Sequence, residues 1–472
     1  MTELWRLSAT EMVRRLRQRE LSPLEAIDAL MARIEAVDGP VNALPTRCPD
    51  RARAAAKKLP ASSDDPGWLA GLPVIIKDTA NVAGVRTTYG SPIYANHVPE
   101  KSDVTVEMIE ARGGLVLAKS NTPEFAAGAN TFNEVFGKTR NPWRTTQTAG
   151  GSSGGSAAAL ASGQAWLAHG SDTGGSLRIP AAFCGVVGLR PTPGRVAHRA
   201  GRTLPFEPIS VDGPMARTVA DLALFLDAMT GEHWSDPVAL PRPAVPFQRA
   251  AAEPTLPACI AWSADLGGRV PLDRQVRAVC ESVVKKLTRP RVRVDAACPD
   301  LGDPIATFRV VRAVSFATRY ADLLKTNRKD LKPEIVGNIE AGLKLTGEEV
   351  GRAEAERRAI IYNMAEFFRK YDVLITPSVI VPPFDIETRY LTEVGGKKFA
   401  DYVGWLVMSF AITLTSCPAI SIPCGFTQDG LPIGLQIVAP FRGEATLLAC
   451  AAAIEAELGL AGKTPIDPIV AH

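Results

Sequence analysis

The chain has 472 residues, of which 46% are hydrophobic, and its 53 basic side chains nearly balance 50 acidic ones to leave a net charge of +3. Such a chain can bury a large core, and without a dense basic run it is not expected to bind nucleic acid. The N-terminal sequence has no apolar segment of signal-peptide length, and its eight cysteines lack CxxC spacing, so we expect a reduced, cytoplasmic protein rather than a disulfide or zinc framework.

Residues 1–60 are predicted to form two helices. Ser8 and Ser22 each precede a glutamate by three positions, which is the capping-box pattern, and Pro23 suits the first position of the second helix. Apolar residues recur behind the second cap at helical spacing. We therefore expect an N-terminal helical hairpin that packs on the body of the protein and carries no chemistry.

Two buried strands are predicted next, and each ends in polar residues. The first covers 72–76 and ends at Lys77, and the second covers 111–119 and leads into the loop 120–130. Their apolar runs are typical of strands that are covered on both faces. If the strands are parallel, Lys77 and this loop lie at one edge of the sheet. A lysine at a strand end is ordinarily a surface group, so its role depends on what else reaches that edge.

Residues 148–178 are rich in glycine and hydroxyl side chains, and they contain no Asp, Glu, Lys or Arg before Asp172. The pattern predicts a loop, a short helix over 155–161, a buried strand over 164–168 and a second loop. A helix that advances and a strand that returns place both loops on one side of the sheet. Ser152 and Ser176 are therefore expected to meet at the carboxyl end of the strand, where open α/β sheets bind ligands.

The middle of the chain is predicted to be mostly helical. A helix over 217–230 leads into a Pro-rich connector over 237–257. Four further helices are predicted at 274–287, 305–325, 333–345 and 348–370. We interpret residues from about 237 to 370 as a helical insertion or cap within a single domain of residues 1–472. This block is the expected source of substrate selectivity and of oligomer contacts, and a homodimer is one assembly left open.

The C-terminal part is predicted to return to strands. A strand is expected over 371–377, and the uncharged segment 402–428 has the length of a membrane span. Its hydroxyl residues and prolines favour instead a buried helix to about Leu414 and a strand over 419–423, so no membrane segment is expected. A last strand over 431–438 and a helix over 444–458 complete the pattern.

Six segments of the chain together resemble the amidase signature family. They are GLPVIIKD around Lys77, AKSNTPEFA from Ala118, NPW at 141–143, GGSSGGSAAA from Gly150, GSDTGGSLRIPAAFCGVVGLRPT from Gly170 and CPAISIPCGF from Cys417. One glycine-rich loop alone would be a weak signal, whereas this combination is specific. The resemblance covers about residues 65–230 and 370–460. It implies an α/β fold, the amidase signature fold, with a large mixed central β-sheet covered by helices on both faces.

The same resemblance implies a Ser-Ser-Lys triad, and each position is filled. Ser176 corresponds to the nucleophile, Ser152 to a bridging serine that follows a cis peptide bond, and Lys77 to the base. A serine hydroxyl is a poor nucleophile until a base takes its proton. A lysine is a base only when neutral, which requires a pKa lowered from about 10.4 toward the working pH by burial. Ser152 can relay the proton because a hydroxyl both donates and accepts.

Supporting roles follow from the resemblance as well. The backbone N–H groups of Thr173, Gly174 and Gly175 are expected to form an oxyanion hole, because glycines let the backbone approach a substrate carbonyl. The positions expected to brace the two loops are Ser153, Asp172 and Arg178.

These residues predict an amidase that cleaves a carboxamide C–N bond to a carboxylate plus ammonia or an amine through an acyl-enzyme on Ser176. A small-molecule amide is the expected partner, and no metal or organic cofactor is required. Phe125, Ala126 and Gly128 align with a family loop that lines the acyl pocket. Small residues there leave room for a ring, so aryl or arylalkyl amides or anilides are preferred. Trp405 and Met408 are candidates for the opposite wall, although core packing is the favoured role of Trp405.

Other interpretations of these residues are weaker. The sequence around Ser153 formally matches the GxSxG elbow of α/β-hydrolases, but no buried strand precedes it. No GxxxxGK[ST] phosphate loop occurs in the sequence. His169 is interpreted as a histidine of the core. The main alternative is the glutaminase (A) subunit of the glutamyl-tRNA(Gln) amidotransferase, which needs a partner chain and usually has Gln where this chain has Ile179. A non-catalytic binding protein on the same fold is disfavoured because the triad positions are intact.

Overall fold

The computed structural model describes residues 3–198 and 209–470, and its strands build one large mixed sheet and three small ribbons. In chain order the strands are Thr46–Arg47 (β1), Pro73–Lys77 (β2), Leu115–Ser120 (β3), Phe132–Asn133 (β4), Gly137–Lys138 (β5), Arg140–Asn141 (β6), Arg144–Thr148 (β7), Leu167–Asp172 (β8), Val187–Arg190 (β9), Val211–Ala216 (β10), Cys259–Trp262 (β11), Arg293–Ala296 (β12), Val373–Pro377 (β13), Glu393–Val394 (β14), Lys397–Lys398 (β15), Ala419–Phe426 (β16) and Pro432–Val438 (β17). Within the described residues, eleven of them form the central sheet in the order β1-β3-β2-β8-β10-β9-β16-β17-β13-β11-β12.

Helices cover both faces of this sheet, so the predicted fold class is confirmed. In chain order they are Ala9–Arg17 (α1), Pro23–Val41 (α2), Pro49–Ala56 (α3), Val104–Ala111 (α4), Gly154–Ala161 (α5), Arg178–Cys184 (α6), Val219–Met229 (α7), Phe247–Ala252 (α8), Arg274–Leu287 (α9), Pro304–Asn327 (α10), Pro333–Lys344 (α11), Gly347–Phe367 (α12), Val407–Leu414 (α13) and Glu444–Leu458 (α14). The apolar side chains between sheet and helices form the main core.

Three neighbouring parallel strands bring their carboxyl ends to one edge of the sheet. β2 lies between β3 and β8 and is parallel to both, so Lys77 pairs with Ser120 at the end of β3. β10 runs antiparallel to β8 and pairs its first residue, Val211, with Asp172. The predicted meeting of Lys77 with the glycine-rich loops at one edge of the sheet follows directly from this arrangement.

The strand predicted over 164–168 is wrong in its bounds. Gly163, at φ +76°, turns the chain after α5, and the strand begins at Leu167 and runs to Asp172. The polar sequence His169–Asp172 lacks an apolar strand signal, but its backbone pairs along β10. Trp166 is fully buried just before the strand. As a result, Ser171 and Asp172 belong to a rigid strand rather than to a loop.

The four helices predicted for the middle of the chain are confirmed as α9 to α12. The Pro-rich connector nevertheless contains α8, and two strands in this block were missed. β11 and β12 run parallel to β13 and extend the central sheet. Each has four residues, and β12 is partly exposed, so neither carries the long apolar run that predicts a buried strand.

The N-terminal and C-terminal parts of the chain form the helices and strands that their local sequence predicts. Ser22 and Glu25 form both bonds of a capping box. Ser8 caps α1 by accepting from the Glu11 amide, whereas the Glu11 carboxylate binds Arg14 and Arg15 instead of closing the box. The segment 402–428 forms the buried helix α13 and the strand β16, as predicted. Within residues 3–198 and 209–470, no helix is long and apolar enough to span a membrane.

Candidate active site

A fully buried lysine lies at the centre of the candidate site. Lys77 ends β2 with 0% of its surface exposed. Its Nζ lies within hydrogen-bond distance of three hydroxyl oxygens: 2.6 Å from Ser152 Oγ, 2.9 Å from Ser171 Oγ and 3.0 Å from Ser153 Oγ. The apolar strand Pro73–Ile76 leads directly to this position, and removal from water disfavours the charged form of a lysine. The structure thus places Lys77 and Ser152 in direct contact, as the resemblance predicts.

The loop that carries Ser152 is fixed at the N-terminus of α5. The Gly151–Ser152 peptide bond is cis. Thr131 Oγ1 donates to the Gly150 carbonyl at 2.8 Å and accepts from the Gly154 amide at 3.2 Å, which ties the loop to its surroundings. Gly155 is required for close packing, because a Cβ there would overlap the backbone of Asn121.

Ser153 braces the two loops against each other. Its amide donates to the Ser176 carbonyl at 3.2 Å. Its hydroxyl donates to the Ser171 carbonyl and accepts from the Ser171 amide, both at 3.3 Å. The carbonyl of Ser176, the predicted nucleophile, is thus bonded to the amide of the residue that follows Ser152. Ser176 is partly exposed.

Asp172 holds the turn that presents Ser176. Its carboxylate accepts hydrogen bonds from the Gly175 amide at 2.9 Å and the Leu177 amide at 3.2 Å. It also accepts two bonds from Arg178, each of 3.0 Å. Burial works to raise the pKa of Asp172, but the charges of Arg178 and Arg190 outweigh it and hold the pKa well below its usual value. The carboxylate therefore stays ionised at any working pH.

The remaining donors of Arg178 are also engaged, which fixes this buried side chain in place. They bind the Ser409 carbonyl, the Gln436 side chain and the Thr413 hydroxyl at 2.6 to 2.9 Å. The predicted bracing role of Asp172 and Arg178 is consistent with these contacts. Neither side chain reaches Lys77 through a hydrogen bond in the described part of the chain.

The structure differs from the predicted oxyanion hole in one donor. The Gly175 amide is already occupied by Asp172 Oδ1, so it is not free for a substrate oxygen in this structure. The amides of Thr173 and Gly174 have no hydrogen-bond partner among residues 3–198 and 209–470. The sequence does not predict this difference, because the hydrogen bond depends on the direction in which the Asp172 carboxylate turns.

A second buried ion pair supports the end of β2. Lys119 Nζ lies 3.0 Å from Asp78 Oδ1 and also donates to Thr87 Oγ1 and the Ala80 carbonyl, both at 2.8 Å. Burial lowers the pKa of Lys119, and the Asp78 charge opposes that shift. This pair fixes the backbone that follows Lys77 without contacting the hydroxyls of Ser152 and Ser153.

A cavity of about 510 Å³ opens onto this edge of the sheet. Ser171 and Thr173 form its floor, and Phe125 and Ala126 belong to its wall as predicted. The further aromatic side chains of the wall are Tyr89, Tyr94, Phe316 and Tyr320. The rings of Phe125 and Tyr320 are 4.5 Å apart between centroids. A larger depression of about 590 Å³ beside Asp38 and Arg140 adjoins none of the triad positions.

Three predicted pocket residues lie elsewhere. Gly128 is not part of the cavity wall; its nearest neighbour on the side where a Cβ would lie is Lys332 Nζ. Trp405 packs in the core against Phe183 and Phe384, at centroid distances of 6.5 and 5.5 Å. Met408 is buried in the same core cluster. The favoured core role of Trp405 is therefore confirmed.

His169 is a buried histidine close to the site. Its side chain is 0% exposed, and its Nε2 lies 3.5 Å from Asp212 Oδ1. Asp212 itself lines the cavity. His169 makes no hydrogen bond to Lys77 or to the two triad serines among the described residues, so it does not form part of a Ser-His arrangement.

Sequence reasoning missed two residues of the site. Ser171 was overlooked because the predicted strand ended before it, although it belongs to the quoted GSDTGGS segment. Arg312 lies on α10 and lines the cavity, but along the sequence it is one of many charges on a helix of mixed polarity. No local signal separates it from the solvent-facing arginines of that helix. Among the described residues, no group of three or more His, Cys, Asp or Glu could hold a metal ion.

A sequence model of the Amidase family matches residues 25–448 of the chain. The chain is 36% identical over 473 residues to an acylamidase from Rhodococcus erythropolis, and the alignment covers 98% of both proteins. It is 35% identical over 485 residues to the A subunit of the glutamyl-tRNA(Gln) amidotransferase of Moorella thermoacetica, covering 96% of this chain and 97% of that one. The solved structure of 6-aminohexanoate cyclic dimer hydrolase complexed with substrate aligns with a TM-score of 0.89 at 28% identity, covering 98% of this chain and 99% of that one.

Proposed function

The chain belongs to the amidase signature family and is a hydrolase of amide C–N bonds, and we propose that it works through an acyl-enzyme on Ser176 with a preference for aryl or arylalkyl amides or anilides. The observation that carries this proposal is the buried 2.6 Å hydrogen bond between Lys77 and Ser152, together with Ser171, which also bonds Lys77 and lines an aromatic cavity. The proposed triad roles are supported by that contact and by the hydrogen bond from the Ser153 amide to the Ser176 carbonyl.

The reaction begins with proton transfer. Neutral Lys77 accepts the Ser152 proton along their short N–O contact, and Ser152 in turn accepts the proton of Ser176 as that hydroxyl attacks the amide carbonyl. The free amides of Thr173 and Gly174 stabilise the oxyanion that forms. Ser152 then returns a proton to the leaving nitrogen, the C–N bond breaks, and water hydrolyses the ester on Ser176.

The aromatic wall supports the substrate class. Phe125, Phe316 and Tyr320 form a contiguous ring cluster, with the Phe316 and Tyr320 centroids 5.6 Å apart. Ring-bearing substrates gain from offset or edge contacts with such a wall. The acylamidase relative is consistent with cleavage of an amide, and the preference for a ring rests on the cavity wall alone. A short aliphatic amide would leave most of the 510 Å³ cavity unfilled.

The test is release of ammonia or amine from benzamide, an arylacetamide, an anilide, an aliphatic amide and glutamine. Wild-type protein is compared with Lys77→Ala and Ser176→Ala, and an acyl-enzyme is trapped for intact-mass measurement. We expect turnover of ring-bearing amides that is lost in both variants, with the acyl mass absent from Ser176→Ala. An acyl mass that persists in Ser176→Ala would refute the proposed nucleophile.

The glutaminase subunit of the amidotransferase is the second candidate, because relatives of that name are nearly as similar as the acylamidase. Ile179 stands where such subunits usually have Gln, which weighs against it. Ile179 is buried directly behind the Ser176 turn, where its amide donates to the Gly175 carbonyl at 2.7 Å. Turnover of glutamine alone, or activity only with a copurifying second chain, would favour this candidate.

A further inference from the structure

Arg312 is a buried cation that lines the 510 Å³ cavity. It lies on α10 and lines the same cavity as Ser171 and Thr173, with 8% of its surface exposed. Its one hydrogen bond to the described residues runs from Nη2 to Tyr402 Oη at 2.7 Å. Nε is buried and has no partner there, and no carboxylate of that part of the chain lies within ion-pairing distance. Most donors of this guanidinium are therefore unused.

Other buried arginines of the described chain have their charge or donors matched by the protein. Arg178 and Arg190 both lie against Asp172, at 3.0 and 3.4 Å. Arg217 donates to the backbone carbonyls of Trp5 and Leu7. An isolated buried charge is costly, and such groups are normally paired. Arg312 has no such match among the described residues, and it lines the cavity that Ser171 and Thr173 also line.

The guanidinium of Arg312 is held in a fixed position. Its Cζ lies 4.5 Å from the Phe316 ring centroid and 5.6 Å from that of Tyr402. Tyr402 Oη also accepts from Asn338 Nδ2 at 2.7 Å, which anchors the hydroxyl that Arg312 binds. A stacked, planar guanidinium with free donors suits bidentate binding of a carboxylate.

Asp212, the carboxylate on the same wall, is engaged elsewhere. It accepts from Thr105 Oγ1 at 3.2 Å and lies 3.5 Å from His169 Nε2. It forms no ion pair with Arg312 in the described residues.

We propose that Arg312 binds an anionic group of the substrate, so that the preferred amides carry a carboxylate in addition to the scissile bond. This inference deepens the proposed function and rests on it for the scissile step. Anchoring an anion at Arg312 leaves the rest of the substrate to cross the aromatic wall toward Ser176.

The test uses two matched pairs of substrates. 4-Carboxybenzamide and neutral 4-acetylbenzamide differ in the charge of the acyl part, whereas 4-acetamidobenzoate and neutral 4-acetamidoacetophenone differ in the charge of the amine part. We expect wild-type kcat/KM to favour the anion in at least one pair. That ratio should fall about 30-fold or more in Arg312→Met, because a buried charge pair is lost, and recover in part in Arg312→Lys.

Arg328→Met is the matched control, because Arg328 is exposed at the end of the same helix and pairs with Glu340. It should leave the ratio unchanged. Equal wild-type kcat/KM for both members of each pair would overturn the inference, as would an unchanged ratio in Arg312→Met. The wild-type comparison needs no variant, so it decides the question even if Arg312→Met does not fold.

Binding of the same compounds to Ser176→Ala separates the two proposals, because it needs no turnover. Anion-selective binding without wild-type turnover would refute the proposed function and support the role of Arg312. Turnover of neutral amides without anion selectivity would support the proposed function and refute the role of Arg312. Glutamine also carries a carboxylate, and a strong, Arg312-dependent preference for it would support anion binding while favouring the glutaminase candidate.

Discussion

Replacing Asp172 by Asn is expected to destabilise the protein and to disable the nucleophile turn. The carboxylate is fully buried and lies against Arg178 and Arg190. It also fixes the amides of Gly175 and Leu177, which flank Ser176. Asn keeps the shape of the side chain but removes the charge and turns one acceptor into a donor. That donor would then face a guanidinium or an amide.

The magnitude follows from these contacts. Removing one partner of a buried ion pair costs about 3–5 kcal/mol, because the other charge remains buried and unpaired. An unfolding entropy of about 2.1 cal/mol/K per residue amounts to about 1 kcal/mol/K for 472 residues. We therefore expect Tm to fall by about 3–5 °C. A displacement of the turn near 1 Å would lower kcat about 100-fold.

The assay is thermal unfolding by circular dichroism, with kcat on the best amide measured on the same samples at pH 7. The lowered pKa of Asp172 means that its contribution is present above the unfolded pKa and is lost only as the pH falls through the still lower folded value. The wild-type contribution is therefore complete at pH 7. Asp300→Asn is the control, because its pair with Arg269 is exposed and is worth under about 1 kcal/mol. A Tm within about 1 °C of wild type in Asp172→Asn, with kcat within about threefold, would refute this reasoning.

Three further changes have defined outcomes. Burial raises the pKa of Glu455 to about 7, so its stabilising contribution is present below the unfolded pKa and is lost as pH rises through 7. The free energy of unfolding of Glu455→Gln, measured in urea, should therefore exceed that of wild type by about 1–3 kcal/mol at pH 8 and by little at pH 4.5. Ser171→Ala removes one of three hydroxyls that hold Lys77 and should lower kcat about 10-fold with Tm nearly unchanged. Gly175→Ala forces a side chain onto φ +116° and into Ser409, so loss of activity and a Tm drop of about 2 °C or more are expected.

Each of these three has its own check. If Glu455→Gln raises the free energy of unfolding equally at both pH values, ionisation of the Glu455 carboxyl does not destabilise the folded protein. A wild-type kcat in Ser171→Ala would mean that Ser152 and Ser153 alone position Lys77. Gly347→Ala is the control for Gly175→Ala, because a Cβ there meets nothing within 4 Å. Equal Tm values for the two glycine variants would contradict the predicted overlap.

Local patterns predicted much of the fold. The cap at Ser22, the helix at 274–287 and the buried segment that becomes α13 and β16 all follow from side-chain periodicity and capping, which depend on neighbours in sequence. The short strands β11 and β12 were missed because four residues carry too little pattern. Among the described residues β12 pairs only with β11, and β13, the other partner of β11, lies far away in the chain.

The sequence by itself determined the chemistry of the site: a lysine at a strand end, two glycine-serine loops and an aspartate that begins the second loop, with residue types that suit acyl transfer. Only the tertiary structure decided which groups meet. In the folded protein Ser171 lies beside Lys77 and the Gly175 amide donates to the Asp172 carboxylate. Arg312 is buried on the cavity wall without a carboxylate partner among the described residues. These contacts join residues from separate strands and helices, and their geometry depends on how whole elements pack, which no local pattern of side chains encodes.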